Sequence, residues 1–178
     1  MNMKIKIVAV LFCSIITTTA AAIGLHSFSP TGGIIYPGGS WKPGFQVGAL
    51  VNFFQINEDI TISALANYWE SENRKEALEG VVLSNLKVGM DLRYRFKKEG
   101  FYTGLGLSLN NLQKDFQNSR VPSIGNEDPE NEIGFSILGG YNFVFDGYDA
   151  LFTELKYNRV AQYNVFGLKL GLYFHITG

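Results

Sequence analysis

Cysteine is almost missing from this chain. Cys13 is the only one, and it lies inside an apolar leader, so no disulfide framework, Cys-based metal site or thiol nucleophile is available to the remainder. Histidine is nearly as scarce, with His26 and His175 alone. Neither sign of charge prevails: the formal net charge is −1 and the basic residues are scattered. A nucleic-acid binder's basic patch is therefore absent, and no nucleic-acid partner is expected. No phosphate-binding glycine loop, zinc spacing or calcium loop occurs along the 178 residues, so neither a cofactor nor a metal is expected. A length of this order allows one domain with a full core.

The first residues have the layout of a secretory signal. Lys4 and Lys6 make a basic start, Ile7 to Ile16 an apolar stretch, and Ala20-Ala21-Ala22 a small-residue cleavage site. A retained membrane helix is the competing reading, but Thr17, Thr18 and Thr19 end the apolar run at roughly half the ~20 residues that a spanning helix needs. Bulky Phe12 precedes Cys13, where bacterial lipoprotein signals carry a small residue, so Cys13 reads as a signal hydrophobe. The expected division is a cleaved signal over residues 1–22 and a single domain over residues 23–178.

What the rest of the chain has in abundance is alternation. Leu86 to Phe96 puts Leu86, Val88, Met90, Leu92, Tyr94 and Phe96 on one strand face and Lys87, Asp91, Arg93 and Arg95 on the other. The pattern recurs from Phe45 to Phe53, Ile60 to Tyr68, Phe101 to Leu109, Ile133 to Phe143, Leu151 to Tyr157 and Phe166 to Ile176. A weaker first strand is expected around Ile23 to Ser29, ended by Pro30, because an even strand number lets the sheet close and removes its edges. These segments have the ~9 to 11 residues, or slightly more, of a tilted membrane strand. The expected fold is all-β, an eight-stranded antiparallel up-and-down transmembrane barrel with its apolar face towards lipid.

The other face is small and polar: Gly48, Gly89, Gly104, Gly106, Gly134, Gly140, Gly167 and Gly171 alternate with Ser, Asn and a few long charged residues. Glycine weakens an exposed strand without packing anything, but it fits a narrow lumen that has room only for side chains. Lys87, Asp91, Arg93, Arg95, Glu154, Lys156 and Lys169 are expected to form a luminal network of structural ion pairs. Positive charge is in excess there, which leaves room for water or an anion.

Connections alternate between short ones at Gln55 to Asp59, Lys97 to Gly100 and Phe145 to Asp149, and longer ones at Pro30 to Gly44, Glu70 to Val82, Asn111 to Asn131 and, more moderately, Arg159 to Asn164. Short periplasmic turns and long external loops are the pattern of bacterial barrels. Phe53, Tyr94, Phe96, Phe101, Tyr141, Phe143 and Phe174 fall near the short-turn ends, and Tyr68, Trp69, Tyr157 and Phe166 near the long-loop ends, as two interface belts would. The first loop, with Tyr36, Trp41 and Pro43, reads as an interface anchor or a contact surface for an extracellular ligand. The charged stretch Glu70 to Glu79 and the acidic one Asn126 to Glu132 read as solvated loops.

Lys169-x-Gly171-x-x-Phe174-x-Ile176 resembles the assembly signal of the small outer-membrane β-barrel family, the porin-like, opacity and outer-membrane-protein-A-type domains of Gram-negative bacteria. Many family members stop at an aromatic residue, whereas this chain continues through Thr177 to Gly178. The resemblance implies an integral outer-membrane protein, a monomer embedded in outer-membrane lipid and inserted by the barrel-assembly machinery. Its expected role is structural, surface-interactive or that of a minor porin, not enzymatic, with no catalytic residue. The alternatives are a lipid-modifying enzyme, for which His26 with Ser27 and Ser29 are the only candidates, and a soluble periplasmic lipocalin-like barrel with its apolar face inward.

Overall fold

The computed structural model describes residues 25–74, 81–96, 100–116, 130–145 and 148–176. The leader, half of the Glu70 to Glu79 stretch, most of the Asn126 to Glu132 stretch and the Asp146-Gly147 pair lie outside them. The strands are β1 (Ser27–Tyr36), β2 (Gly44–Asn57), β3 (Ile60–Glu72), β4 (Val81–Arg95), β5 (Phe101–Phe116), β6 (Glu130–Phe145), β7 (Tyr148–Val160), β8 (Tyr163–Leu172) and β9 (Phe174–His175). From β1 to β8 each strand pairs antiparallel with the next along the chain, and β1 also pairs on its other side with β8 and β9, which closes the sheet.

The register runs unbroken from Thr31↔Gly171 to Phe28↔Phe174. Pro30 lies in the gap between these pairs, and having no N–H it cannot donate to the ladder. β8 and β9 are therefore two parts of one last strand, and the barrel has eight strands.

Two expectations about strand ends change. β1 begins at Ser27 and continues through Pro30 to Tyr36, so the first long loop contracts to residues 37–43. Pro30 does not end the strand because its ring faces outward where the ladder is interrupted. The moderate connection expected at Arg159 to Asn164 is a hairpin turn at Ala161 and Gln162, with Ala161 at φ 49°.

Alternation sets the two surfaces. The outward rows of β4, β5, β6 and β8 are exposed apolar side chains, Leu107 at 56 % and Leu109 at 67 % among them. The inward rows of the same strands hold buried Lys87, Asp91, Arg93, Ser108, Asn110, Ser136 and Lys169. A lipocalin-like arrangement, apolar inside and polar outside, is thereby overturned.

In β2 the alternation is interrupted. A register shift between Asn52 and Phe54 makes Phe53 the extra residue of a bulge, and the outward row passes to Phe54 and Ile56.

The lumen is filled by pairing large groups with glycine. Gly171 is buried on β8, and a Cβ built there would meet Cε1 and Cζ of the Phe152 ring, itself fully buried. Gly106 on β5 similarly leaves space for the Asp91 carboxylate and the Ser136 hydroxyl. Gly171→Val is expected to destabilise the barrel by about 1–3 kcal/mol through overpacking, read as a lower urea midpoint after refolding into detergent micelles.

Candidate functional site

The charged residues of the inward face meet across the lumen. Arg93 on β4 donates from Nη2 to Glu154 Oε2 on β7 at 2.6 Å. Lys169 Nζ on β8 lies 2.7 Å from Glu154 Oε1, and the Tyr102 hydroxyl on β5 donates to Oε2 at 3.1 Å. A second pair joins Lys156 Nζ on β7 to Asp91 Oδ1 and Oδ2 on β4 at 2.6 and 2.8 Å. Arg93 Nη2 is also 3.6 Å from Asp91 Oδ2, so the pairs form one network. Lys87 stands apart: its ammonium donates to Asn158 Oδ1 at 3.2 Å, and no carboxylate is within ion-pair distance among the described residues.

Six of the seven charged residues expected in the lumen are thus gathered there. Arg95 is the exception. It lies beyond Arg93 towards the short-turn end, in a mouth of about 380 Å³ that it lines with His26, Glu58, Asp59 and His175.

Apolar groups flank the charged layer on both sides. Towards the short turns, Leu50, Leu65, Tyr102, Leu138 and Phe152 form a buried cluster with Tyr173 against it. The Arg93 guanidinium lies over the rings of Tyr102 and Phe152, 5.2 and 5.6 Å from their centroids. Towards the long loops, Ile35, Trp41, Trp69, Val81, Leu83, Leu112, Val160 and Val165 form a second cluster.

These bulky inward groups were missed in the sequence. Their trace is an interruption of the small polar row two residues either side: Leu50 between Gly48 and Asn52, Leu65 between Ser63 and Asn67, Leu138 between Ser136 and Gly140.

Trp69 corrects its interface assignment. It is 3 % exposed and faces inward, because the alternation that turns Tyr68 out turns its neighbour in. Trp41 is likewise buried in the cap and does not anchor the first loop outside.

Loop residues 37–43 are strapped over the lumen by Lys42 N donating to Glu72 O at 2.8 Å and Arg74 N to Ser40 O at 2.7 Å. The Ser71 hydroxyl donates to Lys42 O at 2.5 Å. An exposed Lys42–Glu72 pair at 3.0 Å adds to these.

The remaining aromatics face outward or lie at the strand ends, in two groups. Tyr94–Phe96, Phe101–Tyr141 and Tyr141–Phe143 meet edge to face at 5.2, 4.8 and 4.9 Å near the short turns, where Phe174 also lies exposed. Tyr157 and Phe166 meet at 4.9 Å near the long loops, with Tyr68 donating to Glu70 on the same level.

Of the assembly-motif residues, Lys169 and Gly171 face the lumen and Phe174 and Ile176 the exterior.

The His26, Ser27 and Ser29 grouping is not brought to the long-loop rim. His26 lies at the short-turn mouth, opposite to the long loops, because β1 starts there. Ser27 is buried, accepts from Asn52 Nδ2 at 2.9 Å, and pairs in register with His175 and Asn52. Among the described residues no group of His, Cys, Asp and Glu could hold a metal ion.

Glu154→Gln removes the buried carboxylate shared by Arg93 and Lys169, leaving Arg93 only Asp91 at 3.6 Å, and is expected to cost about 3–5 kcal/mol. Lys42→Ala, which removes an exposed pair, should cost no more than about 1 kcal/mol. Equilibrium urea unfolding of both variants in micelles gives the comparison.

No family model and no curated protein matches the chain. Solved structures do. Neisserial surface protein A (NspA) is 17 % identical, with 85 % of this chain and 97 % of that one covered at a TM-score of 0.54. The Yersinia pestis outer membrane protein Ail, solved in a phospholipid bilayer nanodisc, is 10 % identical, with 84 % and 99 % covered at a TM-score of 0.50. The chain has the fold of the small outer-membrane β-barrels.

Proposed function

We propose that this protein is an integral barrel of a Gram-negative outer membrane, closed to solutes, whose role is structural or one of surface contact through its long-loop end. The observation that carries the reading is the inverted distribution of polarity. Rows of Leu, Ile, Val and Phe cover the outside while Lys87, Asp91, Arg93, Glu154, Lys156 and Lys169 are buried within. Monomeric soluble proteins rarely expose contiguous apolar patches of more than a few hundred Å², whereas hydrocarbon requires such a belt and a closed hydrogen-bond ladder behind it. The fold shared with outer-membrane proteins points the same way.

Against a porin role stands the filling of the lumen. An ion entering from the short-turn mouth meets Arg93 and Tyr102 at its floor. Beyond them lie the paired carboxylates and then the tryptophan-lined cap. Short turns would face the periplasm and the strapped first loop the exterior. The leader fits delivery across the inner membrane, and the assembly machinery and lipid are the partners this reading implies.

Two measurements test it. The purified chain should need detergent to stay in solution, migrate differently on gels before and after boiling, and give no stable conductance in planar bilayers. Steady openings would restore the minor-porin reading. Leu107→Arg, on the outward face at mid-strand, should cost about 2–4 kcal/mol in a bilayer, whereas an exposed position on a soluble sheet would change stability by no more than about 0.5 kcal/mol.

A further inference from the structure

Charge inside the barrel does not balance. The buried charged side chains are the cations Lys87, Arg93, Lys156 and Lys169 and the carboxylates Asp91 and Glu154, an excess of two positive charges among the described residues. Both carboxylates are engaged by Arg93, Lys156 and Lys169. Lys87, 5 % exposed, has an amide oxygen as its hydrogen-bond partner and no carboxylate in reach. An ammonium only donates, and a buried cation without a counter-charge is costly.

The same region holds a cavity of about 30 Å³ between the ion pairs and the tryptophan cap. Lys87, Lys156 and Lys169 line it together with the side-chain amides of Gln46, Asn67 and Asn158. No Asp or Glu is among its lining residues. The volume is roughly twice the ~10–15 Å³ of probe space that one water needs, enough for a small monoatomic anion and too little for phosphate or sulfate.

We infer that this cavity binds a halide ion, chloride under ordinary conditions, as the counter-ion of Lys87 in the folded lumen. Among the described residues Lys87 is the one buried ammonium here with no carboxylate partner, Lys156 and Lys169 on the same lining already hold theirs, and side-chain amides complete a space that suits an anion better than a metal cation. The ion supplies the negative charge that the buried residues do not.

The full chain is refolded from urea into micelles in sodium bromide or in sodium gluconate of equal ionic strength. Crystals grown from the bromide sample should show an anomalous bromine peak within hydrogen-bonding distance of Lys87 Nζ. The unfolding midpoint should rise with halide concentration, and the apparent halide affinity should fall at least tenfold in Lys87→Met. Lys87→Gln serves if the methionine variant does not refold. A cavity without the bromine peak, or a halide dependence that is the same in wild type and the Lys87 variant, overturns the inference. A neutral Lys87 or a water-filled cavity gives that result. The outcome is separate from membrane residence, which the detergent and conductance measurements decide.

Discussion

The Glu154 carboxylate, fully buried and shared by Arg93, Lys169 and Tyr102, is the point on which the interior depends. Its partners come from β4, β8 and β5, while β7 carries the carboxylate itself. The backbone ladder closes the barrel around its circumference, and these side chains tie it across its width. A buried ion pair is weak evidence for stability, since desolvation cancels much of the Coulomb attraction. What it contributes here is register. Side chains alternate, so a slip of one residue in β4 would carry Lys87, Asp91 and Arg93 to the apolar exterior and bring Leu86, Val88, Met90 and Leu92 into the lumen. The alternative pairing is thereby penalised twice, by exposed charge and by overfilled space.

Space is the companion constraint. An eight-stranded barrel encloses only enough room for side chains, so every bulky inward group needs a small one beside it. Phe152 has Gly171, and the Asp91 carboxylate has Gly106. Glycine would weaken these strands if they lay on a solvated sheet. In the lumen it leaves the volume that the rings and carboxylates occupy. The abundance of glycine and the presence of a charged network are thus two aspects of one packing arrangement.

Strand number, closure and the outward rows were legible in the sequence because a period of two needs no knowledge of neighbours. Leu105, Leu107 and Leu109 declare their face by themselves. What was not legible depends on other strands. Pro30 looks like a terminator until β9 is seen to resume the same register beyond it. Phe53 looks outward until its pairing with β3 slips by one residue. Trp69 and Trp41 look like interface aromatics until the loop carrying Trp41 is strapped over β3 and both rings join the cap. The charged network was visible as a set of residues, but its division into an Arg93–Glu154–Lys169 cluster, an Asp91–Lys156 pair and a separate Lys87 was not. That division follows from the stagger of strands in the closed sheet, which local spacing does not encode.

The two ends of the lumen differ in a way that bears on gating. At the short-turn end the mouth opens to a floor of Arg93, Tyr102, Asn142 and Tyr173. At the other end the cap contains one loop residue, Trp41, whereas Trp69, Leu83, Leu112, Val160 and Val165 belong to strands. Displacing the first loop would remove Trp41 and leave the strand-borne part of the cap in place, because those residues belong to the ladder, Trp69, Leu83, Leu112 and Val160 paired on both sides and Val165 with Asn158 on one. Opening a path would also require separating Arg93 from Glu154 and Lys156 from Asp91 inside a medium of low polarity, a far larger step than moving a loop. Among the described residues the filling of the lumen is therefore a property of the barrel wall and its inward side chains more than of the first loop.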